Sequence, residues 1–113
     1  MTPLDKDVAL VTRRTIVRYA GVVQDFNPVH YDDEFARKSG LPGVIAQGPL
    51  TFALVLDALA AANGAGNISG MKARLKSPVY PGNQLHLKCD AEGNFSATVE
   101  GKEVLSGSLV PRS

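Results

Sequence analysis

The spacing of apolar residues changes twice along the chain. Residues 8–11, Val-Ala-Leu-Val, form a short run that predicts a first strand. The period then lengthens: Ile16, Val17, Tyr19, Ala20 and Val23 recur at helical spacing over 13–23, with Thr12 placed to cap the first turn. Residues 25–31 break that pattern. Pro28 removes a backbone donor and pushes Asn27 towards an extended conformation. Asp32 or Asp33 then caps a short helix over 34–39, Gly40 stops it, and 41–47 form a crossing loop containing Gly43.

Gly48-Pro49 opens the next helix, since proline suits the first helical turn. Over 50–62 nearly every residue is apolar, which predicts a helix wrapped on several sides by other structure. Asp57 is the exception and a candidate for a subunit interface. Asn63-Gly64-Ala65-Gly66 ends the helix, and 64–70 read as a stop and turn; their glycines follow a helix, the reverse of a dinucleotide loop. The period now falls to two. Met71, Ala73 and Leu75 alternate with Lys72, Arg74 and Lys76 over 71–76. Tyr80-Pro81-Gly82-Asn83 is a turn, and strands follow at 84–89, 95–99 and 104–110, joined by turns at Glu92-Gly93-Asn94 and Glu100-Gly101-Lys102. A strand, then helices, then a meander describes an α+β fold: an antiparallel sheet wrapped around one central helix.

The 113 residues make one domain the expectation over 1–113. Twelve basic and eleven acidic residues leave a net charge of +1, with no long basic run, which argues against a nucleic-acid partner. The longest apolar stretch, 49–62, contains Asp57 and is too short to span a bilayer, so no membrane partner is expected. Cys89 is the only cysteine, so no intramolecular disulfide can form. Without a charged-then-apolar stretch after Met1, the expected location is a reducing cytoplasm. Leu109-Val110-Pro111-Arg112 resembles a thrombin site left by an expression tag. Its apolar residues also continue the strand pattern, and a native end is the expectation.

Two segments carry candidate chemistry. Asp25-Phe26-Asn27-Pro28-Val29-His30 sets a carboxylate, an amide and an imidazole within six residues of non-helical chain. Proline fixes the path, so the polar side chains can converge on one pocket. A carboxylate–imidazole pair supplies what water addition to a double bond requires: one group takes a proton from water while the other delivers one to carbon. The second segment is Gln47-Gly48-Pro49-Leu50-Thr51. The first turn of a helix exposes unpaired N–H groups and the positive end of its dipole, where a developing enolate oxygen would be stabilised. Pro49 has no N–H, so Gly48 is the candidate donor, and its missing side chain permits close approach.

Tyr19-Ala20-Gly21, then 25–32 (Asp-Phe-Asn-Pro-Val-His-Tyr-Asp), Phe35-Ala36, 44–51 (Val-Ile-Ala-Gln-Gly-Pro-Leu-Thr) and 79–85 (Val-Tyr-Pro-Gly-Asn-Gln-Leu) together resemble the MaoC-like family. That family includes (R)-specific enoyl-CoA hydratases and 3-hydroxyacyl-thioester dehydratases. The resemblance covers roughly residues 8 to 110. It implies a hot-dog fold, an acid–base dyad at Asp25 and His30, an oxyanion donor at Gly48, and a signature amide, Asn27, that orients the dyad or its water. The implied substrate is an acyl-CoA or acyl-carrier-protein thioester, with coenzyme A part of the substrate and no separate cofactor. The implied assembly is a homodimer, with a heterodimer of homologues as the alternative. Three features depart from the pattern: Gln24 stands where glycine is frequent, Gln47 where histidine is frequent before the helix, and the strand region is shorter than in many relatives.

Plainer readings stand beside these. An Asp-x-Asn-Pro stretch alone builds turns. Lys72, Arg74 and Lys76 are candidates to meet coenzyme A phosphates, or an ordinary solvated face. His30 and His86 are the only histidines and lie far apart in sequence, so no metal site is expected. Cys89 reads as packing. Two rival functions remain: a non-catalytic hot-dog subunit that shapes a homologue's tunnel, and a hot-dog thioesterase.

Overall fold

Five segments pair into one antiparallel sheet in the computed structural model, which describes residues 1–112: β1 (Leu4–Leu10), β2 (Ile68–Leu75), β3 (Gln84–Cys89), β4 (Asn94–Val99) and β5 (Lys102–Pro111). Their spatial order is β1-β3-β4-β5-β2, which leaves β1 and β2 as the edges. Between β1 and β2 in sequence come α1 (Arg13–Val23), α2 (Asp33–Lys38) and α3 (Gly48–Asn63).

The meander obeys its period-two pattern. Leu85, Leu87 and Cys89 of β3, Phe95 and Ala97 of β4, and Leu105 and Leu109 of β5 are buried in one cluster with Leu50, Val55 and Leu59 of α3. Removing such a side chain from water stabilises by about 1.5–3 kcal/mol, so this face is what holds α3 to the sheet. The β4–β5 turn places Glu100 and Gly101 at φ of 50° and 83°. Two successive positive φ values give the hairpin turn whose twist matches its strands.

The expected boundaries of α1 hold, including the cap: the Thr15 N–H donates to Thr12 Oγ1 at 3.1 Å. Four expectations need correction. The first strand begins at Leu4, not residue 8, because Asp5, Lys6 and Asp7 continue the ladder against β3 with Asp7 opposite His86. An edge strand with a wet face tolerates charges that hide it from a search for apolar runs. The next strand starts at Ile68 and stops at Leu75, so Ile68, Ser69 and Gly70 are strand and Lys76 is not. The short helix spans Asp33–Lys38, capped by Asp32, whose Oδ1 accepts from the Phe35 N–H at 3.1 Å. Finally, α3 is not wrapped on several sides within this chain. It buries Leu50, Thr51, Val55 and Leu59, while Ala53, Leu56, Asp57 and Ala61 face solvent. A stripe of alanines raises apolar content without demanding burial.

Candidate active site

The backbone leaves α1 through Gln24 in the left-handed region, φ 57° and ψ 38°. That conformation costs a residue with a Cβ roughly 1–2 kcal/mol, a physical reason for glycine to be frequent at this position. The turn sends Asp25 away from the helix axis into two nested side-chain turns. Asp25 Oδ1 accepts from the Asn27 N–H at 3.2 Å, and Asn27 Oδ1 accepts from the Val29 N–H at 3.1 Å. Pro28–His30 then forms one 3-10 turn with Asn27 as its cap. The Asn27 oxygen therefore acts on the loop backbone; it shapes the segment that carries the two chemical groups.

His30 turns inward, its side chain 11% exposed, and its Nε2 lies 3.4 Å from Asp25 Oδ2. Its other ring nitrogen, Nδ1, lies 2.8 Å from the Ile45 carbonyl oxygen. A carbonyl can only accept, so Nδ1 carries the proton and donates, and Nε2 of the neutral ring presents a lone pair towards Asp25. Two acceptors at 3.4 Å do not bond each other. A donor such as water, placed against both, satisfies both.

The crossing loop completes the wall. The Ile45 N–H donates to the Val29 carbonyl at 3.1 Å, and the Ala46 N–H donates to that of Val79 at 2.7 Å. Gln47 is buried, and its Nε2 donates to the Ile16 carbonyl of α1 at 2.9 Å, while its Oε1 has no partner. So Gln47 ties α1 to the start of α3 and makes no hydrogen bond to the dyad. Gly48 is the first residue of α3, and among the described residues its N–H meets no acceptor. His30, Ile45, Ala46, Gly48, Leu75 and Lys76 line one open cavity of about 310 Å³.

Of the residues singled out from the sequence, the fold therefore brings Asp25 to His30 and sets His30 and Gly48 in one cavity, with Asn27 bonded within the loop that carries the first two. The cationic trio separates. Lys76 lines the cavity, with its ammonium paired to Glu103, whereas Lys72 and Arg74 sit exposed on β2 outside it. Sequence reasoning missed Asp33. Its Oδ1 accepts from the Val44 N–H at 3.1 Å and its Oδ2 from Arg13 Nη2 at 2.6 Å. These bonds hold its carboxyl below the usual range. With Asp32 supplying the cap, Asp33 was left over, the one hint that its carboxylate served something else. Larger concavities, of about 610 and 640 Å³, lie over β1, β3 and β4 and contain neither His30 nor Gly48. Burial pushes the Cys89 thiol up, away from nucleophilic use. Among the described residues, no group of three or more His, Cys, Asp or Glu side chains could hold a metal ion.

A five-stranded antiparallel sheet packed on one long helix, with an imidazole from a kinked loop lining the same cavity as the start of that helix, defines a hot-dog fold of the hydratase and dehydratase class. The chain belongs to the MaoC-like domain family, whose model matches residues 1–109. It is 32% identical over 120 residues to the mouse (Mus musculus) peroxisomal multifunctional enzyme type 2, covering 96% of this chain and 16% of that protein. It is 33% identical over 97 residues to enoyl-CoA hydratase ChsH3 of Mycobacterium tuberculosis, covering 77% of this chain and 34% of that one. Among solved structures, the (R)-hydratase from A. caviae involved in PHA biosynthesis superposes with a TM-score of 0.82 at 20% identity, covering 99% of this chain and 96% of that one. The chain spans between 4% and 48% of the lengths of the curated relatives it matches.

Proposed function

We propose that the chain catalyses reversible hydration of a trans-2-enoyl thioester to the (R)-3-hydroxyacyl thioester. The observation that carries this reading is the approach of His30 Nε2 to Asp25 Oδ2, 3.4 Å, with His30 in the wall of a cavity that also includes the start of α3. In the forward direction the thioester oxygen sits on the Gly48 N–H, which withdraws electrons from the conjugated alkene. Water held by Asp25 and His30 attacks carbon 3, its proton passes to the pair, and the pair returns a proton to carbon 2. Delivery of oxygen and proton from one face makes the addition syn. The pair, not either residue alone, is the acid and the base. Removing one oxyanion donor typically costs about 10²–10³ in rate, so the helix start contributes as much as a proton-transfer group.

Coenzyme A enters as part of the substrate, and no step calls for a separate cofactor. Lys76 at the cavity is the cation best placed for the carrier arm, with Lys72 and Arg74 further out along β2. A second copy of the chain, or a homologue, would cover the exposed Ala53–Leu56–Ala61 stripe of α3.

The test is the absorbance of the conjugated enoyl thioester in crotonyl-CoA mixed with the purified chain. Loss of that absorbance by the chain alone supports the proposal. Activity appearing only after mixing with a homologous subunit would support the non-catalytic reading, and release of free thiol would support a thioesterase.

A further inference from the structure

Asp33 joins three elements with one side chain. It stands in the first turn of α2, reaches Arg13 at the start of α1 with Oδ2, and holds the Val44 N–H of the crossing loop with Oδ1. Gly43 fits this arrangement, since a Cβ there would lie 3.3 Å from Asp33 Oδ1. One residue beyond Val44, Ile45 bonds the dyad loop twice: its N–H to the Val29 carbonyl and its carbonyl to His30 Nδ1. The Ile45 carbonyl is the group that decides which ring nitrogen keeps the proton. It is held from one side by Ala46 on Val79 and from the other by Val44 on Asp33.

We propose that Asp33 is a positioning residue for this site: by clamping the crossing loop to α1 and α2, it keeps His30 in the Nδ1–H tautomer and its Nε2 turned towards Asp25. The contribution to turnover rests on the hydratase reading, whereas the contribution to the tautomer does not. A carboxylate with two acceptor oxygens is required, because Val44 and Arg13 are both donors approaching from different elements. Asparagine retains an acceptor for Val44 and loses the charged bond to Arg13; alanine loses both.

Imidazole ¹⁵N spectra in alkaline buffer distinguish the tautomers of a neutral ring. His30 and His86 are the only histidines, so a His86→Gln background leaves one signal set. The expected parent spectrum is a single Nδ1–H form. Asp33→Ala is expected to give a mixture of tautomers, and Asp33→Asn to restore most of the parent form. In enoyl-CoA hydration, Asp33→Ala is expected to lower kcat by about 10- to 100-fold, the scale of a small misplacement of a reacting group, with KM within about twofold. Should the alanine variant not fold, Asp33→Ser, too short to span both partners, is expected to give the same mixing. A folded Ala or Ser variant with an unmixed Nδ1–H ring overturns the proposal. If the parent chain hydrates no enoyl thioester, the hydratase reading fails and the spectra decide the tautomer claim alone.

Discussion

Replacing Gly48 by alanine separates the helix start as scaffold from the helix start as oxyanion donor. Two effects on stability oppose each other. Losing a glycine narrows the unfolded ensemble, worth about 0.4–1 kcal/mol in favour of the variant. Residue 48 also precedes Pro49 in the first helical turn, where a Cβ meets the proline ring, a clash of similar size. The new Cβ would lie 3.6 Å from Leu75 Cδ2, an ordinary contact with no backbone atom in the way. The expected net change is therefore within about 1 kcal/mol, or a few degrees in Tm. Activity is a different matter. Gly48 and Leu75 line the same cavity, so the methyl would narrow the space in which the proposed thioester oxygen approaches the Gly48 N–H. If that hydrogen bond is lost, kcat/KM falls by about 10²–10³, equivalent to roughly 2.7–4 kcal/mol of transition-state stabilisation. Thermal unfolding and crotonyl-CoA turnover on the same preparation read both quantities. A Gly48→Ala protein with parental Tm and parental kcat/KM would refute the assignment of the oxygen to this amide.

Two further predictions concern the sheet. His86 Nε2 lies 2.5 Å from Asp5 Oδ1 and its Nδ1 lies 2.8 Å from Asp7 Oδ1, so the ring ties edge strand β1 to β3. Hydrogen bonds to Asp5 and then Asp7 raise the His86 pKa, and the bond from His86 lowers that of Asp5. A raised histidine stabilises fully below about pH 6.5 and loses its contribution as pH climbs through the folded value; a lowered aspartate stabilises above about pH 3.9 and loses it on acidification. Tm is expected to fall from mildly acidic to alkaline pH, and His86→Gln to flatten that slope; an equal slope in the variant would exclude this tie. At Gly107, a Cβ would fall 2.0 Å from the Lys72 carbonyl oxygen and 2.8 Å from Ala73 Cα. Overpacking usually costs about 1–3 kcal/mol, and because backbone must move here, Gly107→Ala is expected at or above the top of that range in urea unfolding. A cost under about 1 kcal/mol would mean that β2 sits further from β5 than described.

Most of what the sequence revealed was local. Thr12, Pro28 and the Glu100-Gly101 pair each act within a few residues of themselves, and the helix cap, the break after α1 and the hairpin turn that they set lie where the pattern put them. β1 was half hidden because its charges answer His86, nearly eighty positions away; edge pairing leaves no apolar signature. The approach of Asp25 to His30 was legible because Pro28 keeps both within one short non-helical segment. The Ile45 carbonyl that sets the imidazole was not, since any residue has a carbonyl and only the crossing of two loops selects this one. The bonds of Asp33 to Val44 and Arg13 and of Gln47 to Ile16 escaped for a related reason: a capping aspartate and a polar residue before a helix look the same whether or not they also reach a second element. Lys72, Arg74 and Lys76 alternate as expected, yet the strand ends at Leu75 and only Lys76 reaches the cavity.

The central claim is that Asp25 and His30 act as one unit on one water. A double-mutant cycle of Asp25→Asn, His30→Ala and the combined variant, read as kcat/KM for crotonyl-CoA on folded protein, tests it most directly. Each single change is expected to cost at least about 10²-fold, and the double variant is expected to fall little below the worse single, because groups acting as a unit are lost together. Losses that multiply in the double variant, or a folded single variant with parental turnover, would contradict it.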